Sequence, residues 1–173
     1  MPAWFGNVIG SAIGLVAILL GALWNAHLVR KRDSKIMDSE AKAIQAAIGA
    51  EMSVYLELLV MRVGMFYADP SIVSAPRLDS LRVPPPTVWP KVADKVGLLP
   101  PELVYETVRA WSLLEIHAVS VNATIEEAKS GQWKGHWARD RANLLKQDLD
   151  QIAATASALS GRPVDETLRF CLL

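Results

Sequence analysis

Apolar and polar positions follow three patterns along the chain. From Ala3 to Val29 apolar residues run on with no Asp, Glu, Lys or Arg, about the length that crosses a hydrocarbon core of roughly 30 Å as one α-helix. Trp4 and Trp24 stand 20 residues apart. At about 1.5 Å rise per residue this sets one indole at each lipid-water interface. From Ser34 to Tyr67 the pattern becomes periodic: Met37, Ala41, Ile44, Ile48, Met52, Tyr55, Leu59, Val63 and Phe66 recur in steps of three and four, the repeat of an amphipathic helix. Asp33 or Ser34 suits the N-cap of this segment. No strong breaker parts it from the apolar run, so the two predict either one continuous helix or a bend near Asp33.

The third pattern is punctuation. Eight of the ten prolines lie in residues 68–101, which predicts a connector, extended around Pro84-Pro85-Pro86. Within it Pro90 to Val96 suits a short helix, opened by Pro90 and ended by Gly97. Helical spacing resumes at Leu103, Val104, Val108, Trp111, Leu114, Ala118, Val121 and Ile125, after Pro100-Pro101 and before Gly131. It continues at Trp133, Trp137, Leu144, Leu145, Leu149, Ile152, Ala156 and Leu159, stopped by Gly161 and Pro163. The few residues between these two helices predict antiparallel packing. Val164, Leu168, Phe170, Leu172 and Leu173 make an apolar tail that needs cover.

The predicted fold is therefore all-α: one N-terminal transmembrane helix followed by a cytoplasmic antiparallel bundle of three long helices. Residues 1–32 form the anchor with its basic flank and residues 33–173 the bundle. The latter divides into helix 33–67, connector 68–101, helices 102–130 and 132–160, and tail 161–173.

Charge sets the orientation. Arg30, Lys31, Arg32 and Lys35 follow the apolar run. A cleaved secretory signal carries its positive charge before such a run, so the order argues for a retained anchor. Basic flanks stay in the cytoplasm, which predicts an outside N-terminus and residues 30–173 inside. The expected site is a plasma membrane, taken as the bacterial inner membrane. A helix lying in the interface would need a charged face that residues 3–29 lack. Inside the span Gly6, Gly10, Gly14 and Gly21 fall close to one face, a glycine zipper against which another helix packs closely. Trp4, Trp24, Arg30, Lys31 and Arg32 are the expected interface anchors.

Composition excludes more than it suggests. Over 173 residues, 18 basic and 18 acidic side chains cancel, so no global positive field invites nucleic acid. A single cysteine, Cys171, excludes an internal disulfide framework. Hydrophobic residues make up 51% and mean hydropathy is +0.22, high for a soluble domain.

Candidate chemistry is sparse. There is no phosphate-binding loop and no Gly-x-Ser-x-Gly turn. Histidines at 27, 117 and 136 are scattered; Glu115 and His117 are two apart, not the Glu-x-x-His of di-metal bundles. His136 and Asp140 suit a local ion pair. The neighbouring carboxylates Glu126-Glu127 and Asp165-Glu166 diverge around a helix and read as solvated surface. Asn122-Ala123-Thr124 matches the glycosylation triplet but falls mid-helix on the expected cytoplasmic side, where it is accidental. The triple proline suits a docking site for a polyproline reader or, preferably, a spacer. Trp133 and Trp137, one turn apart among basic residues, are candidates for a partner contact. Neither catalytic, cofactor-binding nor metal-ligating residues are assigned.

The expected role is that of a non-enzyme acting by protein-protein interaction, as a homo-oligomer with coiled-coil-like packing or as an accessory or assembly subunit of a membrane complex. Its expected partners are the lipid bilayer and either itself or other membrane-protein helices, with no nucleic acid and no small-molecule substrate. The competing expectation is a pore-forming or membrane-disrupting effector gated by the cytoplasmic part, for which Gly6, Ser11, Gly14 and Asn25 supply a thin ring of small or polar residues. A weaker third is a signalling protein.

Overall fold

The structure, a computed structural model, describes residues 4–68, 78–131 and 136–164, with side chains described for residues 14–65, 78–131 and 139–164. All regular structure among the described residues is helical. Helix α1 is Trp4–Ala68, α2 Trp89–Val92, α3 Pro101–Lys129 and α4 His136–Ser160, with 3-10 turns at Asp79–Leu81 and Ala93–Leu98. The backbone is thus helical through Asp33-Ser34. The chain divides into two compact units, Met1–Ala41 and Lys42–Leu173.

Helix ends follow local chemistry. Pro90 opens α2 and Pro101 opens α3, where the missing N–H costs nothing. At the other end of α3, Gly131 has φ +73°, and its N–H donates to the Ala128 carbonyl at 3.2 Å. After α4, Gly161 has φ +67° and donates to the Ser157 carbonyl at 2.9 Å. Both glycines occupy the left-handed conformation that lets a chain leave a helix. Residues 132–135, including Trp133, and the tail 165–173 lie outside the described residues.

The second unit has one hydrophobic core. From α1 it takes Ile48, Met52, Leu56 and Leu59, from α3 Trp111, Leu114 and Ile125, from α4 Leu145, Ile152 and Ala156, and from the connector Leu78, Leu81, Val83 and Leu99. Helices α3 and α4 pack on each other, joined by His117 to Asp148 (3.0 Å), Gln151 to Glu106 (3.2 Å) and Arg141 to Glu127 (3.7 Å). Helix α1 comes close to the end of α4 at Gly49. A Cβ there would stand 2.5 Å from the Ser160 amide nitrogen and 2.8 Å from the Leu159 carbonyl carbon, so hydrogen alone fits.

Burial trims the periodic pattern. On α1 it begins at Ile44, while Met37, in phase with the stripe, is 58% exposed. Leu144 on α4 faces outward and Leu145 inward. Val108 on α3 is also exposed, part of a different stripe from the core face.

Candidate functional site

Two apolar stretches share α1, and their surroundings differ. Between Ile44 and Val63 one face is buried in the core of the second unit. From Gly14 to Val29 every residue is exposed, with Leu15, Ile18, Leu19, Leu20 and Leu23 between 54% and 71%. Helix α1, over Gly14–Met65, holds an 18-residue window apolar enough to cross a membrane, 44% of it buried within the protein. Its uncharged stretch ends at Arg30, Lys31 and Arg32, all exposed, with the Arg32 guanidinium 3.4 Å from Asp33. Trp24 is 68% exposed, its ring 6.4 Å from that of His27. At Gly14 and Gly21 an added Cβ would meet nothing within 4 Å. Gly6, Gly10 and Trp4 belong to the helical backbone of α1, as Trp137 does to α4, but the surroundings of their side chains lie outside what is described.

The densest polar constellation is elsewhere, in the second unit, where side chains of α1 and α3 grip the backbone of the connector. Glu51 of α1 accepts four hydrogen bonds. Its Oε1 takes the N–H groups of Thr87 (2.6 Å) and Val88 (2.7 Å) and the Thr87 hydroxyl (3.0 Å), and its Oε2 takes the N–H of Trp89 (2.7 Å). One carboxylate therefore gathers, from 36 to 38 residues away, the N–H of Trp89, which the first turn of α2 leaves unpaired, and those of the two residues leading into it. Burial pushes the Glu51 carboxyl up, but the hydrogen bonds from Val88, Trp89 and Thr87 together outweigh it and hold it below the ordinary glutamate value. One turn further on α1, the Tyr55 hydroxyl donates to the Pro84 carbonyl at 2.8 Å. Burial, then the charges of Glu115 and Glu51, pushes the Tyr55 phenol up.

From the α3 side, Asn122 holds Val83 by both backbone groups: its Oδ1 accepts the Val83 N–H at 2.9 Å and its Nδ2 donates to the Val83 carbonyl at 3.1 Å. Arg82 donates to Glu126 and to Asp79, and Lys129 donates to Asp79. Lys129 and then Arg82 hold the Asp79 carboxyl below its ordinary value. Aromatic rings close the centre. Trp89 stacks on Trp111 with centroids 5.2 Å apart and planes 15° from parallel, and Tyr55 approaches Trp111 at 5.8 Å.

Chemically this arrangement is a clamp. Its polar groups are engaged with the chain's own backbone and with one another, and beside it lies an open apolar groove of about 500 Å³ between Ala50, Val54 and Leu58 of α1 and Pro84-Pro85-Pro86. A second groove of about 460 Å³ lies on another side of α1, against Arg162, Pro163 and Val164. His117 and Asp148 pair, and among the described residues no three His, Cys, Asp or Glu side chains converge.

Several of these residues carried no signal in the sequence. Glu51 occupies a polar position of an amphipathic helix, where carboxylates are usually solvated. Asn122 stood in a glycosylation triplet, yet its amide is spent on Val83. The surface reading of Glu126-Glu127 misses their partners, Arg82 and Lys129 for Glu126 and Arg141 for Glu127. Compared with family models, with curated proteins and with solved structures, the chain matches none of them.

Proposed function

We propose that this chain is a single-pass membrane protein acting by protein-protein interaction, as a homo-oligomer or as an accessory or assembly subunit of a membrane complex. The observation that carries the reading is the stretch from Gly14 to Val29, uncharged and exposed at every position, which water tolerates poorly and a bilayer accepts. The basic residues after it favour an outside N-terminus and a cytoplasmic second unit, the membrane being a plasma membrane. In that unit the pairs Glu106 with Gln151, His117 with Asp148 and Glu127 with Arg141 run in opposite order along α3 and α4, in support of an antiparallel bundle whose third long helix is the C-terminal part of α1. The polar constellation binds the chain to itself, its carboxylate, phenol and amide each spent on the connector, which favours a scaffold.

Gly6, Gly10, Gly14 and Gly21 are the proposed packing face of the span. The test is to tag the C-terminus, solubilise native membranes in mild detergent and measure the mass and composition of what co-purifies. An assembly larger than one chain is expected, reduced in size or lost when Gly10 and Gly14 become leucine. Unchanged size and partner recovery in that variant would remove the glycine face from the account. In right-side-out cells, protease added outside should leave the C-terminal tag intact until lysis.

A further inference from the structure

The core face of α3 is not its only apolar stripe. Tyr105, Val108, Ser112, Ile116, Val119 and Ala123 are all exposed, with Tyr105, Ile116 and Val119 at 66%, 62% and 69%. Their steps are 3, 4, 4, 3 and 4, so Tyr105, Val108 and Ser112 are repeated eleven residues on by Ile116, Val119 and Ala123. An eleven-residue repeat averages 3.67 residues per turn, close to an unstrained helix, so the stripe runs nearly straight along α3 for about 27 Å. The one polar member is already satisfied: the Ser112 hydroxyl donates to the Val108 carbonyl at 2.9 Å. At the middle of the stripe Ser112 therefore offers a small side chain with no unmet donor, where a second helix comes closest.

Charges beside the stripe select the partner. At 100° per residue Arg109 and Glu115 fall about 60° to either side of Ser112. Both are exposed, and neither joins an ion pair within its own chain among the described residues. If a second α3 lies parallel and in register, Arg109 of one copy faces Glu115 of the other about 9 Å along the axis, twice by symmetry, as flanking charges do in parallel coiled coils. An antiparallel pair centred on Ser112 sets Arg109 near Arg109 and Glu115 near Glu115, which repel. We infer that the exposed face of α3 is a homodimer seam, occupied by the same face of a second copy of this chain, parallel and in register about Ser112. This deepens the proposed role in protein contact by naming the surface and the partner. It uses no residue of the apolar N-terminal stretch.

The test is disulfide trapping in the full chain, in membranes, with Cys171→Ser as background. Ser112→Cys, Tyr105→Cys and Val119→Cys should each yield a covalent dimer on mild oxidation. Mixing Tyr105→Cys chains with Val119→Cys chains should yield no 105–119 product. Arg109→Glu should lower trapping through Ser112→Cys by about tenfold, and Arg109→Glu with Glu115→Arg should restore it. Absence of dimer at Ser112, a 105–119 product, or failure of the charge swap to restore trapping would overturn the inference. A chain that stays in the membrane while trapping fails separates this seam from the membrane reading, and one that leaves the membrane yet still traps does so in the other direction.

Discussion

At the scale of single residues, the stability of the second unit turns on side chains that hold backbone. Replacing Glu51 with alanine leaves the Thr87, Val88 and Trp89 N–H groups without their common acceptor. The expected loss is about 1–2 kcal/mol, the usual cost of a deleted helix cap, measured by denaturant unfolding followed by helical circular dichroism. The pH dependence has a definite sign. Because the folded carboxyl lies below its ordinary value of 4.5, the contribution is complete well above that value and is lost as the pH falls through the folded value. The gap between the native chain and Glu51→Gln should accordingly narrow as the pH is lowered below about 4.5; a gap that widens on acidification would contradict the clamp. Asn122→Ala removes partners from both backbone groups of Val83, which is buried at 4% exposure. It should cost about 1–3 kcal/mol, whereas Gln147→Ala, exposed on α4, should leave unfolding nearly unchanged. Trp111→Ala should cost about 3–5 kcal/mol, since Trp111 is 1% exposed and supports both Trp89 and Tyr55.

At the scale of elements, Gly49 separates intrinsic preference from packing. Helix propensity alone says that Gly49→Ala stabilises α1 by about 1 kcal/mol. Contact with Leu159 and Ser160 says the reverse, because the added methyl meets backbone and cannot be relieved by turning a side chain. Net destabilisation of about 1–3 kcal/mol is expected, seen as a lowered unfolding midpoint, and a raised midpoint would show that α1 and the end of α4 are not this close. The same contrast explains what the sequence could reveal. Helix existence was legible in periodicity, and helix ends in Pro101, Gly131 and Gly161, since both signals are local. The phase of the core was nearly so, though Met37 and Leu144 fit the period and still lie outside. What stayed hidden was long-range: nothing near Glu51 announces Thr87, and nothing near Asn122 announces Val83. Such pairings are set by where the connector returns across α1 and α3, a property of the packed chain. The exposed stripe of α3 was hidden for a related reason. Its members interleave with the core set, and Val108 fits the spacing of the core face although its exposure sets it on the other.

At the scale of the whole molecule, two kinds of apolar surface divide the chain's behaviour. The core of the second unit covers its own apolar residues, including Ile48, Met52 and Leu59 of α1, each fully buried. Between Gly14 and Val29 every residue is exposed among the described residues, and exposure of that much contiguous aliphatic surface in water would drive association. Insertion into lipid, as proposed, would resolve this with the helical backbone satisfied internally and Trp24 and Arg30 at the boundary. A variant with Ile18→Arg and Leu19→Arg places two charges within the stretch, at a cost of about 2.5–3.5 kcal/mol each near the bilayer centre, and should shift the protein out of the membrane fraction while the fold of the second unit persists. The most direct measurement is alkaline carbonate extraction of membranes carrying the unaltered full chain. Retention of the protein in the pellet, together with release of the double arginine variant, is the predicted result; release of the unaltered chain into the wash would mean that it only adheres to the surface, and the account of a membrane-spanning α1 would fall.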